Sequence, residues 1–209
     1  MTVNAIESLR LVGGHPALDF ANTLGQQVGG APNEHLVDYQ ALLAWSRRLD
    51  LVTAAEAATL RKAAAARPVQ ATRALVQARA LRGAIHELFA AQATDTSPPP
   101  GALAQLNRAL GVALGHAELA ETGDGFGWRW VGARAALDRP LWPLARAAAA
   151  LLTAPDLGRV RQCAGADCRW LFLDLTKNRA RRWCAMELCG NRSKIRRFRA
   201  RATADVAAH

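Results

Sequence analysis

Apolar positions recur every three or four residues through most of the chain as far as residue 153, a spacing that predicts a helical body. The pattern is strongest from Gln70 to about Ala93, where Leu75, Ala78, Leu81, Ile85, Leu88 and Phe89 share one face. Leu18, Ala21 and Leu24 keep the same interval behind Pro16, which suits a first helical turn, so a short helix followed by a Gly-, Pro- and Asn-rich loop is expected. Asp38 can cap a helix over 39–49 with Leu42, Leu43 and Trp45 inward. Thr53 and Glu56 form a capping box for a helix ending near Arg67-Pro68. After the stiff connector Pro98-Pro99-Pro100, a helix is predicted over 103–119 with Leu103, Leu106, Leu110 and Leu114 inward. The period then changes to two: Phe126, Trp128 and Trp130 alternate beside Gly123-Asp124-Gly125, which predicts a short strand and half of a hairpin. A last, almost wholly apolar helix is expected over 142–153, broken by Pro155.

Composition agrees with this pattern. A hydrophobic fraction of 51% in 209 residues supports a real core, and one Tyr and five Phe among frequent Ala disfavour a β-sandwich. The longest apolar run, 147–152, is far short of the roughly 20 residues a membrane span needs. With no export-signal pattern at the N-terminus, a cytoplasmic protein with no membrane partner is expected. The charge is uneven. Residues 159–209 hold 13 Lys or Arg against four acids, whereas the rest of the chain holds 14 against 13. Such asymmetry predicts a tail that meets a polyanion, joined to a body that does not.

All four cysteines fall in that tail, as Cys163-x4-Cys168-x15-Cys184-x4-Cys189. Two local pairs about a loop are what tetrahedral zinc requires, and four sulfur ligands leave no open position, so a structural Zn²⁺ is expected. Two disulfides, four free thiols and an iron–sulfur cluster are the alternatives; an intracellular basic chain argues against the first, tight pairing against the second, and dense Arg and Lys against the third. Between the pairs, residues 169–173 have strand character with Trp170 and Phe172 on one face, and Asp174 opens a turn. Lys177, Arg179, Arg181 and Arg182 follow. After Cys189, a short basic helix carries Lys194, Arg196, Arg197 and Arg199, with Ile195 and Phe198 placed to pack on the metal module. Ten cations from Lys177 to Arg201 face one acid, Glu187, and would repel one another without a polyanion. Arginine suits bidentate phosphate and guanine contacts, which points to duplex DNA. An RNA-binding finger is the chief alternative, because Trp170, Phe172 and Trp183 could stack bases.

The string Trp170-x-Phe172-x-Asp174-x-x-Lys177-Asn178-x-x-Arg181-Arg182-Trp183-Cys184-x-Met186-x-x-Cys189-Gly190-Asn191-Arg192 resembles the CGNR zinc finger family of bacterial proteins. Gly13-Gly14-x-Pro16-x-Leu18-Asp19-Phe20-x-Asn22-Thr23 similarly resembles the ABATE domain that precedes that finger. The resemblance implies a stress-linked transcription regulator. Its finger, held by zinc on Cys163, Cys168, Cys184 and Cys189, would bind DNA, and its helical domain would sense a small molecule. Asn191 would cap the basic helix and Arg192 reach a phosphate. The expected fold is therefore mainly α: a helical domain over 1–155 with a small β-hairpin, then a small treble-clef-like zinc finger over 156–209.

Within the body, Asp19 and Asn22 are polar groups in an apolar segment. They, with Trp130, are the candidates for binding an effector, although internal hydrogen bonding would also satisfy them. No Ser-His-Asp elbow, phosphate-binding loop or dinucleotide fingerprint is present, so an enzyme with a tethering finger is a minor alternative. A homodimer is expected, since one small finger seldom supplies enough specificity.

Overall fold

The computed structural model describes residues 6–25, 33–123 and 125–207, with side chains through residue 200. The loop expected behind the first helix lies mostly outside the described residues. Helix α1 (Pro16–Ala21) starts on Pro16, with His15 accepting the Ala17 N–H, and residues 17–21 are all buried. Its flanks form a two-residue ladder, β1 (Leu24–Gly25) with β2 (Asn33–Glu34). Helix α2 (Tyr39–Arg48) is capped by Asp38, which accepts the Ala41 N–H at 2.7 Å. Helix α3 (Ala54–Ala66) has both bonds of the Thr53–Glu56 capping box.

Helix α4 (Pro68–Ala93) is the spine, 26 residues long. Its buried stripe includes Leu75, Ala78, Leu81, Ile85, Leu88 and Phe89, the positions the spacing predicts. Around it pack α1, α2, α3, α5 (Ala102–Leu114) and α6 (Leu141–Leu152). Full burial of a Leu or Phe side chain stabilises by roughly 1.5–3 kcal/mol, so this continuous stripe, more than helix propensity, holds the bundle.

Two expectations need correction. The helix predicted over 103–119 stops at Leu114, and 117–122 is a strand. Gly115 weakens the helix, and β3 (Ala117–Thr122) gains an antiparallel ladder to the aromatic β4 (Gly125–Trp130), from Ala117 opposite Trp130 to Thr122 opposite Gly125. The inner face of α5 is also not leucine-lined. Ala102, Leu106 and Ala113 are buried, while Leu103 and Leu114 are about half exposed. Small alanines let α5 approach α4 and α6 closely. On the hairpin, Trp130 packs against Trp142, with Phe126 projecting and the Arg146 guanidinium lying 4.9 Å over Trp128.

A 3₁₀ turn (Pro155–Arg159) leads into β5 (Val160–Gln162), which pairs antiparallel with β6 (Leu171–Leu173). After an irregular segment, a wide π-type turn (Met186–Gly190) passes into helix α7 (Asn191–Ala207). The hydrophobic core does not end at residue 155: Val160, Leu171 and Leu173 belong to the same buried cluster as α1, α4 and α6. The body and the tail therefore share one core, which the uneven charge did not suggest. No helix of the described residues is long and apolar enough to cross a membrane.

Candidate metal centre and nucleic-acid face

Strand alternation builds the centre. In β6, Leu171 and Leu173 point into the body core, while Phe172, flanked by Trp170, points to the other side and packs on Cys163, Cys184 and Cys189. Cys163 follows β5 directly, and its N–H donates to Trp170 O at 2.9 Å, closing the hairpin end. A tight turn then returns the chain to Cys168, whose N–H donates to Gly165 O at 3.0 Å. A Cβ on Gly165 would lie 3.1 Å from Cys168 Cβ and 3.2 Å from Cys189 Sγ, so close packing at the sulfurs selects glycine. The second pair comes from the turn into α7, where the Cys189 and Gly190 N–H groups both donate to Ala185 O. Gly190 is buried beneath the Met186 thioether, which occupies the place a Cβ would take. A hairpin turn thus supplies one pair and a helix start the other, the treble-clef arrangement.

The four Sγ atoms lie within 4.8 Å of one another, with Cys168 to Cys184 at 3.8 Å and Cys184 to Cys189 at 3.6 Å. A tetrahedron with zinc–sulfur bonds of about 2.3 Å has edges of about 3.8 Å, whereas a disulfide needs about 2.05 Å. All four cysteines are free of disulfides. Hydrogen bonding with Cys168 and Cys184 pulls the Cys163 thiol down, and the same contacts push Cys168 and Cys184 up. Four thiols this close become thiolates together only around a cation. Soft, four-fold sulfur ligation fits zinc and makes the site structural.

The surroundings hold these sulfurs in place. Cys163 Sγ accepts the N–H groups of Gly165 at 3.5 Å and Cys184 at 3.3 Å. Arg192 donates to Cys189 Sγ at 3.6 Å and to Leu188 O at 3.4 Å, so its guanidinium offsets thiolate charge at the metal. Asn191 is helical (φ −64°, ψ −42°) rather than extended as an N-cap would be, because the π-type turn runs straight into α7.

Arg181 was expected on the nucleic-acid face, and the structure turns it inward. It donates to Trp183 O, Cys184 O and Val12 O, and its guanidinium sits 4.2 Å over the Phe172 ring. Three carbonyls and a ring hold it more firmly than water would, so it is a brace under the centre. Asp174, fully buried, anchors the same loop by accepting from Thr176 N–H, Thr176 hydroxyl and Arg181 N–H. Burial pushes its carboxyl up, but these bonds outweigh burial and hold it below the ordinary carboxylate value.

The other expected cations divide. Lys177, Arg179, Arg182, Lys194 and Arg197 are exposed, and none forms an ion pair with a described carboxylate. Arg182 lies 5.5 Å over Trp183. Arg192, Arg196 and Arg199, spaced along one side of α7, instead line a cleft of about 360 Å³ with Cys168, Trp170, Leu188 and Ile195. Arg196 reaches Asp167 at 4.0 Å. Phe198 is 75% exposed, so of the two apolar residues expected to pack on the metal module only Ile195 faces it.

The effector candidates in the body are also redistributed. Asn22 is 1% exposed, with its amide spent on both polar atoms of the Leu171 peptide. Asp19 accepts the Gly13 N–H at 2.8 Å; burial pushes its carboxyl up. Both are satisfied by the protein itself and are structural. Trp130 borders a cleft with Thr53, Glu56, Arg134 and Arg139, in which Arg139 is paired to Glu56.

Sequence reasoning missed the seam between body and finger. Leu173 N–H donates to Gly13 O, Trp170 Nε1 to Leu24 O, Arg181 to Val12 O and Arg10 to Glu187, while His86 Nε2 lies 2.9 Å from Arg169 O. The available signal was a buried-looking Asn in an apolar helix.

Comparison with known families assigns residues 14–155 to the ABATE family, described as "Putative stress-induced transcription regulator", and residues 159–202 to the CGNR zinc finger. No curated protein matches the chain. With a family match over most of its length and four sulfurs set for zinc where the finger lies, the chain belongs to the ABATE family and carries a CGNR zinc finger.

Proposed function

We propose that the protein is a cytoplasmic DNA-binding transcription regulator, not an enzyme, whose zinc centre fixes a basic surface that contacts duplex phosphates. The observation that carries this reading is the set of exposed, carboxylate-free cations Lys177, Arg179, Arg182, Lys194 and Arg197 on segments anchored by the four sulfurs. Each phosphate contact releases condensed counterions, so affinity must fall steeply with salt. The RNA reading loses support from the same geometry. Phe172 is buried against the cysteines under Arg181 and offers no face for stacking bases, while Trp170, in the cleft, and Trp183, beneath Arg182, are only partly exposed. For an effector, the reading shifts from Asp19 and Asn22 to the cleft beside Trp130.

The test is fluorescence anisotropy of the zinc-loaded protein with a labelled duplex across a salt series. A log–log slope of about −4 to −5 is expected for five neutralised phosphates. A flat response, or tighter binding to single-stranded RNA at equal salt, contradicts the reading.

A further inference from the structure

The four sulfurs are not equally protected. Cys163, Cys184 and Cys189 are 5%, 1% and 4% exposed, whereas Cys168 is half-buried and lines the open cleft between the first knuckle and α7. Their hydrogen bonding differs as well. Cys163 Sγ accepts two backbone N–H groups and Cys189 Sγ accepts the Arg192 guanidinium, while for Cys168 the Trp170 N–H is the backbone donor nearby. Donors directed at a metal-bound thiolate withdraw electron density and damp its nucleophilicity, so Cys168 is both the most accessible sulfur and among the less damped. Cys163 and Cys184 both stand beside it, but Cys163 carries two N–H donors, which leaves Cys184, with Sγ 3.8 Å away, as the less damped neighbour. The cleft is open and walled by Trp170, Leu188 and Ile195 with Arg192, Arg196 and Arg199 around them, charges that do not oppose entry of a small neutral molecule.

From this geometry we propose that Cys168 is an oxidation site for a peroxide, with Cys184 as its resolving partner and zinc release as the outcome. In the first step the Cys168 thiolate attacks one oxygen of hydrogen peroxide. The O–O bond breaks, the sulfur is oxidised to a sulfenic acid, and the departing hydroxide takes a proton to become water. In the second step the Cys184 thiolate attacks the sulfenic sulfur, and the displaced hydroxide leaves with a proton as a second water. Two thiolates, one peroxide and two protons thus give one disulfide and two waters. Losing two of four ligands ejects the ion and frees the segment that carries the basic surface. The proposal rests on the zinc site and not on the DNA-binding reading, and its readouts do not involve nucleic acid.

The experiment exposes the zinc-loaded full-length protein to hydrogen peroxide. It follows the ion with a chromogenic zinc chelator, while early samples are alkylated and the first disulfide is mapped by mass spectrometry. The expected result is release of the ion in step with a Cys168–Cys184 disulfide. Ile195→Trp, which narrows the cleft at a half-exposed position, should slow release roughly fivefold or more, with an unchanged cobalt-substituted spectrum showing that the centre is intact. The proposal is overturned by a first linkage between other cysteines. It is equally overturned by release that Ile195→Trp does not slow, which would indicate oxidation after unfolding, or by an ion retained through millimolar peroxide.

Discussion

The side chain of Asn22 pairs with the peptide of Leu171 as a neighbouring strand would: Nδ2 donates to Leu171 O at 2.8 Å and Oδ1 accepts Leu171 N–H at 2.8 Å. The two residues stand 149 positions apart, and both are buried. One asparagine at the C-terminal cap of the first helix thereby holds the hairpin that carries the first cysteine pair. Asn22→Ala leaves a buried donor and a buried acceptor unmet, at about 1–3 kcal/mol each. Thermal unfolding should show a lower midpoint for the whole chain, and chelator competition a weaker hold on zinc. If only the finger is affected while the body melts as before, the two do not share a core in solution.

Arg181 and the outward cations separate bracing from binding. Arg181→Ala removes three carbonyl partners and the cover on Phe172, and should destabilise by about 2–4 kcal/mol and loosen the metal. Lys194→Ala with Arg197→Ala should leave zinc content and the unfolding midpoint unchanged, yet lower the DNA salt slope by about 2. Metal titration and anisotropy on the two variants distinguish these outcomes; a double variant with undiminished affinity would move the contact surface off α7.

Glu34 accepts both Nη atoms of the buried Arg82 at 2.6 Å. Burial pushes this carboxyl up, but the Arg82 hydrogen bonds and charge outweigh it and hold it below its ordinary value of 4.5. A folded-state pKa below the unfolded one gives stabilisation that is fully present above the unfolded value and is lost as pH falls through the folded value. Glu34→Gln should therefore cost about 1.5–3 kcal/mol near neutral pH, and the gap to the native chain should close as pH falls below 4.5. Urea unfolding of both chains across pH checks this, and a gap that stays constant with pH would remove the ion pair from the account.

What the sequence shows directly is what neighbouring residues decide. The spine helix, the Asp38 cap, the Thr53–Glu56 box and the two cysteine pairs each depend on partners within a few positions, and they appear where the pattern places them. Strand β3 is hidden in the sequence because its first half, 117–119, continues the helical spacing until the Trp-rich strand opposite it is in place. The inward turn of Arg181 was hidden because its carbonyl partners include Val12, 169 positions away, while its neighbours all suggest a solvated basic run. The sequence marks Asp19 and Asn22 as polar groups needing partners; that the partners are Gly13 and Leu171 rather than an effector follows from the tertiary fold alone.

The most direct test of the account is duplex binding by the same protein with and without its metal. The account predicts one zinc per four-sulfur centre, and on chelation a new protease-sensitive segment between residues 174 and 200 together with loss of the salt-dependent DNA affinity. A metal-free protein that binds the duplex with unchanged affinity and salt slope would contradict it.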